Sequence, residues 1–417
     1  MLFSIFTHVE HLKKNKHYLA YSPYVREMNL WLKHVDRVKV VAPYSEMELN
    51  GAAEYEHSEF YFSEIPGFNL LSLKGVFLSF FKIPFIGWKL IENMKRADHI
   101  HLRCPGNIGL IACICQIFFP NKPKTAKYAG NWDPNAKQPW SYRLQKWILK
   151  NPFLTRNMTV LVYGDWPGQT ANIKPFFTAS FSENEIKQIR EKTFSTTFTF
   201  LFVGNLVPGK RPIEAIQLVH GLKESGSRVN LEIYGHGPER DNLESYCREN
   251  NLQGDVKFHG NRSLEELKAA YQNAHFVILP SRSEGWPKAL AEGMFFGCIP
   301  IATPVSCVPW MLGEGSRGVL ITNKANGQRP TGNGSKKGSV DSGQWAVDIE
   351  KILCLLRKPE EMQRMSMEAK RWSQQYTLER FEERIKEVLS VRGLNKSAET
   401  GKLSPAPFRD GVKRGKN

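Results

Sequence analysis

The chain has 417 residues, 41% of them hydrophobic, and a formal net charge of +16. That length exceeds one ordinary core and implies two domains. No run of about 18 uncharged apolar residues occurs, which excludes a membrane-spanning helix, and seven scattered cysteines without ligand spacing exclude a zinc site and point to reduced thiols in a cytoplasmic protein.

In chain order, Met1 to Phe6 lacks a basic leader and a cleavage site and reads as a first buried strand. Tyr18 to Glu27 gathers aromatics beside Arg26 and Glu27, and suits either an aromatic platform or a helix packed on the sheet. Val38 to Ala42 is a β-branched strand ended by Pro43. Val76 to Leu90 interleaves Phe77, Phe80, Phe81, Phe85 and Trp88 with Lys82 and Lys89 around Pro84. An interfacial segment and a buried helix pair with lysines at its edge both remain open there. His99 to Leu102 is a short strand running into the loop Arg103 to Asn107, and Ile108 to Phe119 reads as a buried helix. Thr125 to Ala129 and Thr159 to Val162 are further strands followed by loops. Loops that follow successive parallel strands gather on one edge, where ligands bind. Residues 181–196 are polar and read as a linker.

The second half offers strands at Thr197 to Val203, Asn230 to Tyr234, Val256 to Phe258, His275 to Leu279, Ile299 to Ala302 and Gly318 to Ile321. Helices fall between them, such as Pro212 to Lys223 and Ser263 to Asn273, the latter opening on a Ser263/Glu266 capping box. Residues 322–344 hold five glycines and read as a mobile surface loop. Two helical stretches follow from Trp345, the last with Leu378, Phe381, Ile385 and Val388 at helical spacing. The tail from Lys396 is expected to be disordered.

Within this half, Ser281 to Gly293 carries two carboxylates, Glu284 and Glu292, eight residues apart and flanking Pro287. Proline favours the first position of a helix, so Glu284 is expected on the loop above the sheet and Glu292 inside the helix. The free N–H groups of Lys288 and Ala289 would then face the same space and attract phosphate. Carboxylates that accept from hydroxyls beside an anion site suit a sugar joined to a phosphate. The plainer reading is an amphipathic helix with two solvated glutamates, but the helix is largely apolar, and a carboxylate on a buried element must be paired.

Glu284 and Glu292, with Gly285, Gly293, Gly297 and Pro300, resemble the E-x7-E signature of retaining glycosyltransferases of family 4. Phe202 to Lys210 resembles that family's phosphate loop, Ile233 to Arg240 its Gly-x-Gly-Pro turn, and Val256 to Gly260 its following strand. The four blocks stand in family order over roughly residues 197–320, and the N-terminal half resembles the family much less. The likeness implies an α/β protein of GT-B architecture, two Rossmann-like doubly wound parallel-sheet domains facing a cleft, with C-terminal helices crossing back to the N-terminal domain. It divides the chain into an acceptor domain (1–180), the linker (181–196), a donor domain (197–358), crossing helices (359–395) and a basic tail (396–417).

The resemblance further implies that Glu284 lies against the donor sugar, with His101 and Arg103 near it, where the family often has a His-x-His. It implies that Glu292 binds ribose hydroxyls. Donor contacts would come from Gly204, Asn205, Lys210, Arg211, Gly235, His236, Gly237, Pro238, His259, Gly260, Gly285, Trp286, Pro287, Lys288 and Ala289. The family has Arg where this chain has Asn205, and Arg211 is a candidate substitute. His101 reads equally as a hydrogen-bonded core histidine. Tyr21, Tyr24 and Arg26 are acceptor candidates, although the family's glycine-rich loop is absent there. No metal and no cofactor is implied beyond the nucleotide-diphosphate sugar that serves as donor.

Charge is uneven. Residues 1–180 carry 22 Lys and Arg against 13 Asp and Glu, and the tail from 396 carries six against two. That excess suits an anionic membrane surface and a glycan or lipid-linked acceptor at its inner face; no motif supports nucleic acid. Against the transferase reading stand a sugar epimerase or phosphorylase of the same architecture, and a non-catalytic membrane-surface or partner-binding protein with a decayed donor site.

Overall fold

The computed structural model describes residues 1–390 apart from 16, 47–50, 68–72, 195–196 and 323–341. The expected glycine-rich loop from 323 to 341 and the tail from Lys396 lie outside the described residues, as do the side chains of Phe77, Phe80 and Phe81.

The first half runs β1 (Leu2–Phe6), β2 (His11–Lys14), β3 (His17–Tyr21), α1 (Ser22–Leu32), β4 (Arg37–Pro43), β5 (Ala52–Glu54), β6 (Phe60–Ile65), α2 (Leu73–Arg96), β7 (His99–Cys104), α3 (Asn107–Cys115), β8 (Lys124–Tyr128), α4 (Trp140–Lys150), β9 (Met158–Tyr163) and β10 (Ile173–Phe176). Seven of these strands form a parallel sheet in the order β10-β9-β8-β7-β1-β4-β6. The other three, β2-β3-β5, make a small antiparallel sheet that the sequence reading missed. Its strands are only three to five residues long, too short for a period-2 pattern to mark them. Tyr18 to Tyr21 is therefore strand, and only from Ser22 does the chain turn helical, with Pro23 in the first turn. Val76 to Leu90 lies within one continuous helix, α2, despite Pro84.

The second half runs α5 (Glu183–Ile186), β11 (Thr197–Val203), α6 (Pro212–Glu224), β12 (Arg228–Tyr234), α7 (Arg240–Glu249), β13 (Val256–Gly260), α8 (Leu264–Asn273), β14 (Phe276–Leu279), α9 (Lys288–Phe295), β15 (Ile299–Ala302), α10 (Val308–Met311), β16 (Val319–Leu320), α11 (Ser342–Leu356), α12 (Pro359–Ser373) and α13 (Leu378–Ser390). Its six strands are all parallel, in the order β13-β12-β11-β14-β15-β16. This is the doubly wound order whose switch point lies between the first and fourth strands. Strands such as Phe-Val-Ile-Leu in β14 are buried on both faces, as helices covering a parallel sheet require.

Two expectations change. Of the polar linker read at 181–196, the described part, 181–194, is packed on the protein: Phe181 lies against Phe295 and Phe296, Lys192 donates to the carbonyls of Tyr271 and Gln272 at 2.6 and 2.7 Å, and Ile186, Ile189 and Phe194 pack against the cores. After residue 341 there are three helices rather than two, and Pro359, which has no N–H to continue α11, opens α12. The last helix crosses back to the first half. Phe381 lies against Phe176 and Phe177, and Glu382 pairs with Lys33 and His34 just after α1.

Candidate functional site

In the second sheet the switch point separates β11 from β14, and the loops at their carboxyl ends carry Lys210 and Glu284. The Lys210 ammonium lies 2.6 Å from Oε1 of Glu284, whose carboxylate is buried. Arg282 N–H donates to the Gly209 carbonyl at 2.9 Å, which ties the two loops together. An ammonium has three donors, so Lys210 keeps two for another anion.

The neighbouring loops are zipped to the same edge. Leu206 N–H donates to His236 O, and Gly235 N–H donates to Gly260 O. Gly235 sits at φ +144°, and a Cβ there would stand 1.9 Å from the Gly204 carbonyl. The glycines therefore allow two loops to touch backbone to backbone. Asn205, His236 and Pro238 are exposed on this edge. His259 is paired with Glu232 and stacked on Tyr234, so its ring is already held by protein. Arg211 departs from expectation. It opens α6 in a left-handed conformation, φ +52°, which turns its side chain inward; the guanidinium is buried and faces Glu214 at 3.5 Å.

Pro287 is the N-cap of α9 rather than its first helical residue, and no side chain caps this end. The amides of Lys288 and Ala289 therefore open the helix. Glu292, half-buried, accepts from Ser180 Oγ at 2.6 Å and Tyr271 OH at 2.9 Å. The pair of oxygens retains lone pairs beyond those two bonds. Trp286 is buried among Tyr163, Phe177, Trp310, Trp372 and Tyr376. Gly285 lets the halves approach closely: a Cβ would meet the Ala129 carbonyl at 2.8 Å and the Tyr163 ring at 3.2 Å.

In the first sheet the switch point separates β1 from β7; His8 lies on the loop after β1, and Arg103 lies at the carboxyl end of β7, inside the strand rather than on the loop expected there. Together with Tyr21, Tyr24, Glu27, Pro105, Gly130 and Tyr163 from this half, and Gly285, Trp286 and Lys288 from the other, they line a cleft of about 470 Å³. A second cavity of about 430 Å³ continues from it, lined by Arg26, Glu27, Lys288 and Glu292. Tyr24 is buried beneath the Arg103 guanidinium, which stands 5.4 Å from its ring centre, whereas Tyr21 is exposed.

His101 is not in the cleft. It lies one residue pair deeper on β7 than Arg103, fully buried, with Nδ1 2.8 Å from Thr125 Oγ1 and its ring against Phe3 and Trp31. Burial, with the charges of His99 and Arg103 nearby, holds its pKa well below the ordinary imidazole value. It is a neutral core histidine, and the catalytic assignment is withdrawn.

The sequence reading missed a buried charge cluster. Glu27 of α1 bridges Arg103 at 2.8 Å and Lys127 of β8 at 2.9 Å. Burial pushes the Glu27 carboxyl up, but Lys127 and Arg103 outweigh that and hold it at about 2. Burial pushes Lys127 down to about 8 against the opposing pull of Glu27. One signal was available: two lysines inside the buried strand Lys-Thr-Ala-Lys-Tyr demand partners. His8 carried no signal beyond its place after the first strand. Among the described residues, no cluster of three or more His, Cys, Asp or Glu could hold a metal ion. Six of the seven cysteines are buried and none is disulfide-bonded. No described helix is long and apolar enough to cross a membrane.

Residues 183–329 match the family model of the glycosyl transferases group 1. Over 120 residues the chain is 29% identical to an uncharacterized glycosyltransferase of Methanocaldococcus jannaschii, covering 29% of this chain and 32% of that one. Over 125 residues it is 29% identical to a GDP-mannose:cellobiosyl-diphosphopolyprenol alpha-mannosyltransferase of Xanthomonas oryzae pv. oryzae, covering 30% and 33%. The match thus spans about a third of the length of each of these relatives. Among solved structures, Anabaena HepE in complex with UDP-glucose is similar at a TM-score of 0.60 and 14% identity over 94% of this chain and 100% of that one. Sucrose-phosphate synthase of Thermosynechococcus elongatus is similar at 0.59 and 15% identity over 93% and 98%. The fold is GT-B, two Rossmann-like domains facing a cleft.

Proposed function

We propose that the protein is a glycosyltransferase that moves a sugar from a nucleotide-diphosphate sugar to a glycan or lipid-linked acceptor, with retention of configuration and without a metal. The observation that carries this reading is the Lys210–Glu284 pair at the switch point, on a loop whose next residues, Gly285 and Trp286, line the cleft. The match of residues 183–329 to group 1 glycosyl transferases supports it. Asn205 replaces one expected cation, but Lys210 and the opening amides of α9 remain to meet a diphosphate.

In this mechanism Lys210 and the amides of Lys288 and Ala289 stabilise charge on the departing diphosphate. Glu292 orients the ribose and Glu284 the sugar, with Arg103 on the opposite wall. The acceptor hydroxyl attacks the anomeric carbon from the face that the diphosphate leaves. The carbon–oxygen bond to phosphate breaks, the new glycosidic bond forms, and the acceptor proton passes to a diphosphate oxygen. The protein positions and solvates, and no side chain forms a covalent bond. An acceptor at the inner face of an anionic cytoplasmic membrane fits the basic first half of the chain.

A calorimetric screen of UDP-, GDP- and ADP-sugars tests the donor. Lys210→Ala is expected to weaken binding of the accepted donor by roughly 1.5–3 kcal/mol, the range of a charge-assisted bond. Unchanged affinity in a folded variant would remove Lys210 from the site. Glu292→Gln is expected to raise the donor KM, because ribose is held alike in ground and transition states. Glu284→Gln is expected to lower kcat. Equal losses in both parameters for both variants would overturn these roles.

A further inference from the structure

The side of the first half that covers its sheet with α2, α3 and α4 is unusual in two independent ways. It exposes large aromatics, and its surface carries an excess of cations. Phe85, Trp88, Phe118, Trp140, Trp147 and Phe153 are all between 47% and 70% exposed. Scattered apolar side chains on a surface need no explanation, but a contiguous set does. These are contiguous. Cys115 Sγ contacts the Gly87 carbonyl at 3.8 Å, which seats α3 beside Trp88. Gln116 Nε2 donates to the Leu154 carbonyl at 3.0 Å, which seats the end of α3 beside Phe153. On α4, Trp140, Arg143 and Trp147 stand at i, i+3 and i+7, one face of a helix, and all three are exposed.

Between Lys82 and Arg156 the chain carries 13 Lys and Arg against three Asp and Glu. Lys124, Lys127 and Lys146 are buried and Arg103 pairs with Glu27 in the cleft, so nine of these cations remain for the surface, an excess of +6 over the three acids. Several of these cations sit over the exposed rings: Arg156 stands 4.6 Å from the Phe153 ring centre and Lys89 5.8 Å from that of Phe85. Aromatic bodies with cationic heads beside them match the chemistry of a headgroup boundary, where rings enter the acyl edge and charges meet phosphates.

We propose that this α2–α3–α4 face docks on an anionic lipid bilayer. Charge complementarity selects that occupant over a second copy of the chain. A two-fold dimer through this face would set one basic surface against another. The face also leads to the cleft, since α4 begins directly after the loop that carries the cleft residues Ala129 and Gly130. The proposal rests on the membrane-bound acceptor reading for its purpose, but its test does not use donor or acceptor.

The test is flotation of the full chain with vesicles of phosphatidylglycerol and phosphatidylcholine in equal parts, and with phosphatidylcholine alone. Binding to the mixed vesicles is expected at low salt and should weaken by about tenfold or more at high salt, as screening shortens to about 3 Å near 1 M. Combined Trp88→Ser, Trp140→Ser and Trp147→Ser should weaken binding at least about tenfold at every salt concentration. Combined Lys89→Gln, Arg143→Gln and Arg156→Gln should weaken it at low salt and flatten the salt dependence. Calorimetry with nucleoside diphosphates on both variants, expected to match the parent chain, shows that the fold is intact and keeps the donor question separate. The proposal is overturned if the parent chain does not float with mixed vesicles at low salt, or if the tryptophan variant floats as well as the parent. It is also overturned if the parent is a dimer that the tryptophan variant dissociates.

Discussion

Glu27 shows how a single residue can be chosen by tertiary context. Its carboxylate is buried, and what makes that tolerable is the bridge to Arg103 and Lys127. Removing one member of such a cluster leaves the others uncompensated, which typically costs several kcal/mol. The pH dependence has a definite sign. The folded-state pKa of about 2 lies below the ordinary 4.5, so the stabilisation is fully present above pH 4.5 and is lost as pH falls toward 2. The linkage is of order 3 kcal/mol. Glu27→Gln is therefore expected to lower the urea midpoint strongly at pH 7 and much less near pH 2.5, measured against the parent chain at each pH. A gap of equal size at both pH values would show that the charge of Glu27 is not what stabilises the wall of the cleft. His101 makes the opposite point: its ring is held by packing and one hydroxyl, in a place no substrate reaches.

At the scale of elements, the edge proposed to hold the donor is built by loops that touch. Gly235 separates β12 from α7 and lies against the Gly204 carbonyl after β11. Gly235→Ala forces that carbonyl aside and adds strain at a positive φ, at a cost of about 1–3 kcal/mol. The displaced loop carries Lys210, so nucleotide affinity should fall together with the melting temperature. Gly209→Ala is the matched control, because a Cβ there meets nothing within 4 Å. Thermal melts and calorimetry on both variants check this. If Gly209→Ala weakens nucleotide binding as much as Gly235→Ala, loop flexibility rather than close contact governs the edge. The same reasoning explains α9, which begins where Pro287 stops the preceding loop and presents uncapped amides toward the cleft side.

For the whole molecule, the halves are joined by packing more than by charge. One continuous hydrophobic cluster runs from Phe3 and Trp31 through Phe176 and Phe177 to Trp286, Met294 and Phe381. Phe381→Ala on α13 removes a buried aromatic from its centre and is expected to cost about 3–5 kcal/mol. Glu382→Gln, one residue on, removes the partner of Lys33 and His34 at a half-exposed position and should cost about 1 kcal/mol or less. Denaturant midpoints of the two variants decide between the mechanisms. A Glu382→Gln loss as large as that of Phe381→Ala would mean that ion pairs hold the crossing helix.

By itself the sequence determined the second sheet, its strand order of appearance, and the placing of Lys210, Glu284 and Glu292 at the carboxyl edge of its strands. These are local signals: apolar runs bounded by glycine and proline, and motifs whose parts are fewer than about ten residues apart. The antiparallel β2-β3-β5 sheet was not legible, because strands of three to five residues are too short to leave a periodic trace. Nor was the choice between His101 and Arg103, since strand alternation puts both on one face and only depth along β7 separates core from cleft. The Glu27–Arg103–Lys127 cluster was decided by tertiary structure alone, and so was the joining of the aromatic run that the sequence showed on α2 to the exposed rings of α3 and α4. Their members come from separate elements, and only parallel pairing of β7 with β8 and packing of the helices bring them within reach. Spacing along a chain specifies which side of an element a residue occupies; which other element meets that side is a property of the folded whole.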